Sequence, residues 1–334
     1  MLAASWQRSQ PDLLARTLQP LSWLYGAASA LNRALYTSGL RARERAPVPL
    51  LVVGNLVAGG AGKTPTVIAL VEQMRQRGYT PGVISRGYGR KSNALRLVEP
   101  TSAADDVGDE PLLIRLRTRA PVAVAVRRID AARALCQAQP ELDLLIADDG
   151  LQHHMLARDA QVIVFDERGV GNGLLLPAGP LREPMPARLP ERSVVLYNAE
   201  RASTPWPGFL ALRSIRGLVE LPAWWRGEAA RGEAWAALQG RRVVACAGTA
   251  MPQRFFSMLE QRGLTIEPIA LRDHAPFGTL PWPAGATDVV LTEKDAVKIH
   301  PDRVGSTRVW VAPLDFVLDP QIGAALAQWL PPPR

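Results

Sequence analysis

The stretch that most constrains the fold is residues 50–66, in which four apolar residues run into a glycine-rich turn and a Lys-Thr pair. Residues 50–53 suit a buried strand, and residues 66–78 follow a helical pattern. Backbone N–H groups of such a turn, backed by a helix N-terminus, form a concave site for phosphate oxygens. The sequence therefore predicts a phosphate-binding loop, which consists of Gly59, Gly60, Ala61, Gly62, Lys63 and Thr64.

The two residues that follow the glycines have separate expected roles. Lys63 would reach the β- and γ-phosphates, and the Thr64 hydroxyl would bind Mg²⁺. Pro65 fits a first helical turn, where a missing N–H costs nothing. The usual motif has a glycine five residues before Gly62, where this chain has Val57. An ordinary glycine-rich turn between a strand and a helix is therefore the alternative.

Composition limits the classes of protein that this chain can belong to. A length of 334 residues, 47% of them apolar, suits about two domains with real cores. The two cysteines, Cys136 and Cys246, lack metal-ligand spacing and indicate buried thiols in a reducing compartment. Basic residues number 39 and acidic residues 31, a surplus of eight. Such a surplus favours an anionic partner, which could be nucleic acid, acidic lipid or a phosphorylated substrate.

The N-terminal segment carries half of that surplus, because residues 1–46 contain six arginines and two acidic residues. Within it, residues 17–32 are free of charge and rich in Leu, Trp, Tyr and Ala. Sixteen residues are fewer than the roughly 20 that span a bilayer. Residues 1–46 are therefore predicted to be a membrane-associated helical segment that lies at an anionic surface. A soluble amphipathic helix docked on its own domain is the alternative, and a short span is a weaker one.

Two further strands end in polar residues that suit a ligand site. Residues 81–85 form a short strand that leads to Arg86 and Tyr88. Residues 142–147 form another, which leads to Asp148 and Asp149. In an open α/β sheet, ligands bind at the carboxyl ends of the strands, and Mg²⁺ prefers carboxylate oxygen. One of the two acids could serve the metal and the other a neighbouring donor. A solvated basic loop and a simple Asp-Asp-Gly turn are the respective alternatives.

The rest of the chain indicates a second α/β unit. The glycine- and proline-rich residues 170–190 predict a long functional loop, and residues 201–235 resemble a connector. Strands and helices then alternate from residue 241, which predicts a smaller parallel sheet. The predicted organisation is an N-terminal segment (1–46), a first domain (47–205), a linker (206–240) and a second domain (241–334).

Several motifs, in this order, closely resemble the tetraacyldisaccharide 4′-kinase family, the lipid A kinases of Gram-negative bacteria. They are Gly54-Asn55-Leu56 followed by Gly59-Gly60-Ala61-Gly62-Lys63-Thr64-Pro65, Ser85-Arg86-Gly87-Tyr88, Gly108-Asp109-Glu110-Pro111, Asp148-Asp149-Gly150-Leu151-Gln152-His153, Leu181-Arg182-Glu183-Pro184, Gln253-Arg254-Phe255-Phe256, Asp273-His274 and Thr292-Glu293-Lys294-Asp295-Ala296. The family also lacks the first glycine of the usual phosphate loop. Guanine recognition by residues 292–295 is rejected, because it requires Asn-Lys-x-Asp.

The resemblance implies an α/β fold of two α/β/α sandwich domains, the first a P-loop NTPase-like parallel sheet, with an N-terminal membrane-associated helix. It implies the cofactors ATP and Mg²⁺, and phosphorylation of the 4′-hydroxyl of a tetraacylated glucosamine disaccharide 1-phosphate. The implied location is the cytoplasmic face of the inner membrane.

The resemblance also implies roles for particular residues. Asp109 and His274 would act together as the base on the sugar hydroxyl, at a cleft between the two domains. The other implied catalytic residues are Lys63, Asp149 and Glu183; the metal ligands are Thr64 and Asp148; the substrate-binding residues are Arg86, Tyr88, Gln152 and His153.

Two other classes of function compete with the lipid kinase. A partitioning or assembly ATPase also begins with Gly-Gly-x-Gly-Lys-Thr and can dock on membranes. The second domain, the Asp273-His274 pair and the 170–190 loop favour the kinase. Nucleic-acid binding is weaker, because the positive residues cluster beside an apolar aromatic segment that suits anionic lipid better; no nucleic-acid partner is expected.

Overall fold

The computed structural model describes residues 2–8 and 10–334. Its contacts divide the chain into two compact units, both of mixed α/β structure. The first unit contains the residues up to Arg86, Arg127–Leu212 and Val317–Arg334. The second unit contains Gly87–Val126 and Arg213–Phe316.

The strands are β1 (Leu50–Gly54), β2 (Pro81–Ser85), β3 (Arg96–Leu97), β4 (Val122–Val124), β5 (Leu144–Ala147), β6 (Ala160–Asp166), β7 (Ser193–Asn198), β8 (Phe209–Ser214), β9 (Val219–Glu220), β10 (Arg242–Ala247), β11 (Thr265–Ala270), β12 (Asp288–Thr292), β13 (Arg308–Ala312) and β14 (Asp315–Leu318). The α-helices are α1 (Leu2–Trp6), α2 (Leu13–Thr37), α3 (Lys63–Arg75), α4 (Ala104–Val107), α5 (Asp109–Thr118), α6 (Arg128–Ala138), α7 (Leu221–Trp225), α8 (Pro252–Glu260), α9 (Glu293–Ala296) and α10 (Pro320–Ala327). Two short 3₁₀ helices cover Gly232–Ala237 and Pro301–Arg303.

The sheet of the first unit contains six parallel strands in the order β8-β7-β6-β1-β5-β2. Strands β1, β2, β5 and β7 are buried along their whole length. Parallel strands are covered on both faces, which explains why the sequences of these strands are nearly continuous apolar runs. The registers Val52↔Ala147 and Ile84↔Ala147 align the carboxyl ends of β1, β5 and β2 at one edge.

The second unit has its own sheet, in the order β11-β10-β12-β13-β9. All of its pairs are parallel except that of β13 with β9. Helix α8 covers this sheet with Phe255, Phe256 and Leu259, which are buried in the core as the sequence predicted. Helices α5 and α9 pack against each other beside it.

The predicted division into domains differs from the observed one. Residues 87–126, predicted in the first domain, belong to the second unit, and the C-terminal helix α10, predicted in the second, belongs to the first. Helix α10 packs on α3, where the Gln73 side-chain amide donates to Asp319 O at 2.9 Å. A division by sequence order cannot anticipate such exchanges, because long-range packing decides them.

Two predicted elements also need correction. Helix α3 begins at Lys63 rather than at residue 66, so Pro65 lies within its first turn, as expected. The predicted linker, residues 206–240, contains regular structure: β8 pairs with β7, and β9 pairs with β13. Strand β8 begins with the apolar residues 209–212, but Pro205 and Pro207 just before it favoured a connector, and of its residues only Ala211 is buried.

Helix α2 runs from Leu13 to Thr37 and exposes much of its apolar surface. The exposed fractions are 79% for Leu13, 66% for Trp23 and 69% for Leu24, whereas Ala15 and Ser22 are buried. Among the described residues, no helix has both the length and the apolar character that crossing a membrane requires. The predicted segment 1–46 includes Met1 and Ser9, which lie outside the described residues.

Candidate active site

The loop between β1 and α3 is shaped by two glycines with left-handed backbone. Gly59 has φ of +96° and Gly62 has φ of +92°, conformations that favour glycine. A Cβ atom on Gly62 would lie 2.1 Å from Asn198 Nδ2, so a larger residue does not fit there. Asn198, at the end of β7, donates from Nδ2 to Ala61 O at 3.0 Å. The backbone of the predicted phosphate loop is thus held closely against the sheet.

Asn55 supports this loop from inside. It is fully buried, and its Nδ2 donates to Val57 O at 2.6 Å and to Gly59 O at 3.2 Å. Its Oδ1 accepts from Lys63 Nζ at 3.2 Å. One side chain therefore orients both the turn and its lysine. The prediction of site residues omitted Asn55, although it directly follows the buried strand.

Asp149 lies at the carboxyl end of the neighbouring strand β5, in a left-handed turn with φ of +49°. Its carboxylate accepts from Arg182 Nη1 at 2.9 Å and lies 3.7 Å from Lys63 Nζ. Burial would raise the pKa of Asp149, but the charges of Lys63, Arg182 and Arg128 outweigh it and lower that pKa below its ordinary value. Asp149 is therefore a carboxylate that links the loop lysine to an arginine.

Thr64 and Asp148 are the two predicted metal ligands. Thr64 lies in the first turn of α3, after β1, and Asp148 follows the adjacent strand β5; both are buried. Hydroxyl and carboxylate oxygens are donors that suit Mg²⁺, which usually keeps several waters and phosphate oxygens as its other ligands. No group of three or more His, Cys, Asp or Glu able to hold a metal occurs in the part of the chain that the structure describes. The donor set therefore fits Mg²⁺ bound together with a phosphate and does not form a complete protein cage.

A second feature of the first unit is a group of cationic side chains around His153. Burial, together with the charges of Arg128, Arg158 and Arg86, lowers the pKa of His153 to about 4. Arg128 is buried and donates from Nη2 to Asp149 O at 2.6 Å. Its burial lowers its own pKa from the usual value. Buried positive charge of this kind suits an anionic ligand. The sequence prediction included Arg86 and His153 but missed Arg128 and Arg158.

The long loop of residues 170–190 contacts both helix α2 and the segment that leads into the predicted phosphate loop. This stretch, all of it within the described residues, contains no helix or strand, as predicted. Toward α2, Ser22 Oγ donates to Leu175 O at 2.8 Å and accepts from Ala178 N at 3.0 Å. Toward the glycine-rich turn, Ala58 N donates to Pro180 O at 2.7 Å.

One predicted site residue, Glu183, belongs to that loop, and another, Gln152, contacts it. Gln152 donates from Nε2 to Asn55 O at 3.1 Å, and its Oε1 accepts from Arg182 at 3.3 Å. Glu183 is buried and lies 3.4 Å from His154 Nε2. Gln152 therefore joins the cluster of Lys63 and Asp149, whereas the contact of Glu183 is with His154.

The second unit holds the predicted pair of Asp109 and His274, and the two residues are in contact. Nδ1 of His274 lies 3.0 Å from Asp109 Oδ2 and 3.1 Å from Oδ1, although 165 residues separate them in sequence. Asp109 is the first residue of α5, where a helix N-terminus stabilises a carboxylate. His274 has left-handed backbone with φ of +59°, an unusual conformation for a non-glycine residue. The pair lies within one unit rather than between two domains, which corrects the predicted interdomain location.

The electrostatics of the pair follow from this contact. The hydrogen bond to Asp109 raises the pKa of His274, against the opposing effects of burial and Lys294. Burial would raise the pKa of Asp109, but the hydrogen bond with His274 and the charges of Lys294 and Lys298 lower it overall. The carboxylate and the imidazole therefore stabilise each other, as in a paired acid–base site.

Two further groups surround His274. The ring of Tyr88, itself 69% exposed, meets the His274 ring edge-on with centroids 5.1 Å apart. On the other side, Lys294 Nζ lies 3.2 Å from His274 Nε2. Lys298 Nζ lies 3.8 Å from Asp109 Oδ2. The sequence prediction named Tyr88 but neither lysine, although Lys294 lies in one of the recognised motifs.

The fold and the site thus combine a parallel α/β sheet, a glycine-rich loop with a lysine, and a carboxylate–histidine pair; a loop that suits phosphate and a group that accepts a proton are the parts that a kinase needs. Comparison with known proteins agrees with that class. A tetraacyldisaccharide 4′-kinase from Methylibium petroleiphilum is 52% identical over 99% of this chain and 93% of that protein. One from Leptothrix cholodnii is 51% identical over 100% of this chain and 97% of that protein.

The chain belongs to the tetraacyldisaccharide-1-P 4′-kinase (LpxK) family, whose family model matches residues 14–331. It is therefore a kinase. A solved structure agrees in fold: the crystal structure of LpxK from Aquifex aeolicus in complex with ATP matches with a TM-score of 0.78 and 25% identity. The match covers 96% of this chain and 100% of that one.

Proposed function

We propose that this kinase transfers the γ-phosphoryl group of ATP to the 4′-hydroxyl of a tetraacylated glucosamine disaccharide 1-phosphate, at the cytoplasmic face of the inner membrane. The observation that carries the proposal is the contact of 3.0 Å between Asp109 and His274, in a chain that also has a phosphate-type loop. The names of the relatives supply the substrate class.

The first unit would bind the nucleotide in the manner of P-loop NTPases. The left-handed glycines and the N-terminus of α3 suit phosphate oxygens, and Lys63 is already oriented by Asn55. Thr64 and Asp148 would hold Mg²⁺, which when bound neutralises charge on the phosphate oxygens. The ATP complex of the related LpxK structure supports ATP as the nucleotide.

Asp109 would act as the base toward the sugar hydroxyl. An alcohol that attacks phosphorus needs an acceptor for its proton, and Asp109 is an ionised carboxylate held by His274. The proton passes to Asp109, the alcohol oxygen forms the new bond to the γ-phosphorus, and the bond to the ADP oxygen breaks. Tyr88, beside the imidazole and largely exposed, would contact the substrate.

Two features of the first unit suit the proposed ligands: buried positive charge for an anionic substrate, and an exposed apolar helix for a membrane surface. The buried positive charge around His153, which includes Arg128, suits the 1-phosphate of the disaccharide. Helix α2 exposes Leu13, Trp23 and Leu24, residue types that enter the boundary of a bilayer. The exposed arginines at positions 41, 43 and 45 suit its anionic surface.

The test is a direct assay of the reaction. Purified protein is incubated with γ-labelled ATP, Mg²⁺ and the tetraacyl disaccharide 1-phosphate, and the lipid fraction is analysed for a bisphosphorylated product. Asp109→Asn is the matched variant, because it keeps the size of the side chain and removes the base. ATP hydrolysis without labelled lipid would reject the proposal in favour of a partitioning-type ATPase.

A further inference from the structure

The ammonium group of Lys294 is fully engaged by three acceptors of the second unit. Nζ lies 2.8 Å from Asp273 Oδ1, 2.9 Å from Glu110 Oε1 and 3.2 Å from His274 Nε2. A lysine ammonium has three N–H donors and no acceptor, so the three partners match its capacity. The side chain is only 17% exposed, which leaves little competition from water.

This arrangement determines where His274 carries its proton. Because Lys294 can only donate, Nε2 of His274 must accept with its lone pair. The ring proton of neutral His274 then lies on Nδ1, which faces the Asp109 carboxylate at 3.0 Å. Both ring nitrogens are therefore occupied, and only one neutral tautomer satisfies both contacts.

The positions at which this chain uses lysine rather than arginine independently support a specific role for Lys294. Only four of its 39 basic residues are lysines: Lys63, Lys91, Lys294 and Lys298. Three of the four lie in the clusters described above, and Lys91 is an exposed residue paired with Asp105. An arginine presents a planar fork, whereas three acceptors around one point match the compact ammonium of lysine.

We propose that Lys294 is a positioning residue that holds His274 as the neutral tautomer with its proton on Nδ1, and thereby reserves the substrate proton for Asp109. The assignment of that proton rests on the proposed function. The tautomer is a property of the resting protein. During the reaction the hydroxyl O–H bond breaks, and its proton forms a new bond to an Asp109 carboxylate oxygen. The Asp109 carboxylate has about four lone-pair sites, so it can take up the substrate proton while it still accepts the hydrogen bond from Nδ1.

Removal of the ammonium group should favour the charged imidazole. Nε2 of His274 lies 3.9 Å from Glu110 and 3.8 Å from Asp273. On the Nδ1 side are Asp109 and, beyond it, Lys298, and the ring of Tyr88 lies at the edge. Without Lys294, three carboxylates face the imidazole, and a nearby carboxylate stabilises imidazolium. The pKa of His274 should therefore rise in Lys294→Met.

The first experiment is an NMR titration of full-length protein labelled with ¹⁵N-histidine, in which His274→Gln assigns the signal. Wild-type His274 is expected to show the tautomer protonated on Nδ1 once the ring becomes neutral, above its raised pKa. In Lys294→Met the pKa of His274 should rise by about 1 or more, and Lys294→Arg should restore part of the difference. A neutral wild-type ring protonated on Nε2 would overturn the proposal, whether or not any variant folds. An unchanged or lowered pKa in folded Lys294→Met would also overturn it.

The second experiment measures kcat as a function of pH. The charge of Lys294 lowers the pKa of both Asp109 and His274, so Lys294→Met should move the acid limb of this coupled pair to higher pH. Near neutrality kcat should fall about 10-fold or more and recover in alkaline buffer, with little change in KM for ATP. Lys91→Met, at an exposed site in the same unit, is the control that should keep the wild-type profile. A uniform loss of kcat at all pH values would contradict the proposed role. Absence of kinase activity in the wild type would reject the proposed function but would leave the NMR result to decide the tautomer.

Discussion

The contact between Asp109 and His274 leads to a quantitative prediction about catalysis. Asp109→Asn keeps the shape of the side chain but removes the proton acceptor, so kcat should fall by about 10²–10⁴-fold, the usual contribution of a general base. KM for ATP should change little, because the lost interaction belongs to the transition state.

His274→Gln should reduce kcat by a smaller factor, because the base itself remains. Its loss removes the main interaction that lowers the pKa of Asp109 and leaves the effect of burial, which raises that pKa. A carboxylate with a raised pKa is protonated at higher pH, so the acid limb of kcat should move to higher pH in this variant.

The double variant, Asp109→Asn with His274→Gln, measures how strongly the two residues depend on each other. The two side chains touch at 3.0 Å, and contacting residues usually couple by about 0.5–3 kcal/mol. The loss in the double variant should therefore be smaller than the product of the single losses, by a factor of about 2 to 150. The assay is steady-state transfer of labelled phosphate to the lipid between pH 5 and 9.

The control for this cycle is His300→Gln, which changes a largely exposed histidine of the same unit, with a side chain 67% exposed. It should leave kcat and its pH profile unchanged. Strictly multiplicative losses in the Asp109 and His274 variants, or an acid limb that moves in neither, would refute the idea that the pair acts as one base.

The remaining predictions concern the first unit. Lys63→Ala should abolish turnover and leave the thermal unfolding midpoint nearly unchanged, because it removes phosphate binding from a loop that Asn55 also holds; wild-type turnover would exclude a phosphate-binding role. Ser22→Ala should lower the free energy of unfolding by about 1–3 kcal/mol, measured in urea, because a buried N–H and C=O lose their partner; an unchanged midpoint would contradict this. Replacement of Trp23 and Leu24 by serine should reduce sedimentation with anionic vesicles, and high salt should release the wild type only partly; equal binding would exclude an interfacial helix.

Local patterns in the sequence were sufficient for the glycine-rich turn between β1 and α3 and for most of the strands. A buried strand, a glycine turn and a helix start occupy consecutive residues, so the loop that contains Gly62 and Lys63 could be predicted without any long-range contact. The same holds for β2 and for the apolar stripe of α8, because periodicity reports which face of an element is buried.

From the residues alone, Asp109 is an acidic residue in the first turn of a helix, where such residues are common, and no catalytic role follows. Only the family resemblance paired it with His274. The fold brings these residues together across 165 positions, and it adds Lys294 as a third member whose importance depends on the tautomer it imposes. Likewise, Arg128 becomes a candidate anion-binding residue only because packing buries its charge near His153.

The sequence by itself thus determined most of the elements and the contiguous loop, since the relevant forces act between neighbours in the chain. The tertiary structure alone decided that residues 87–126 join the second unit and that α10 returns to the first. It also decided which charges are buried and paired. The physical reason is that burial, tautomer and pKa depend on groups that are distant in sequence, and only the packing of whole elements brings those groups within hydrogen-bonding distance.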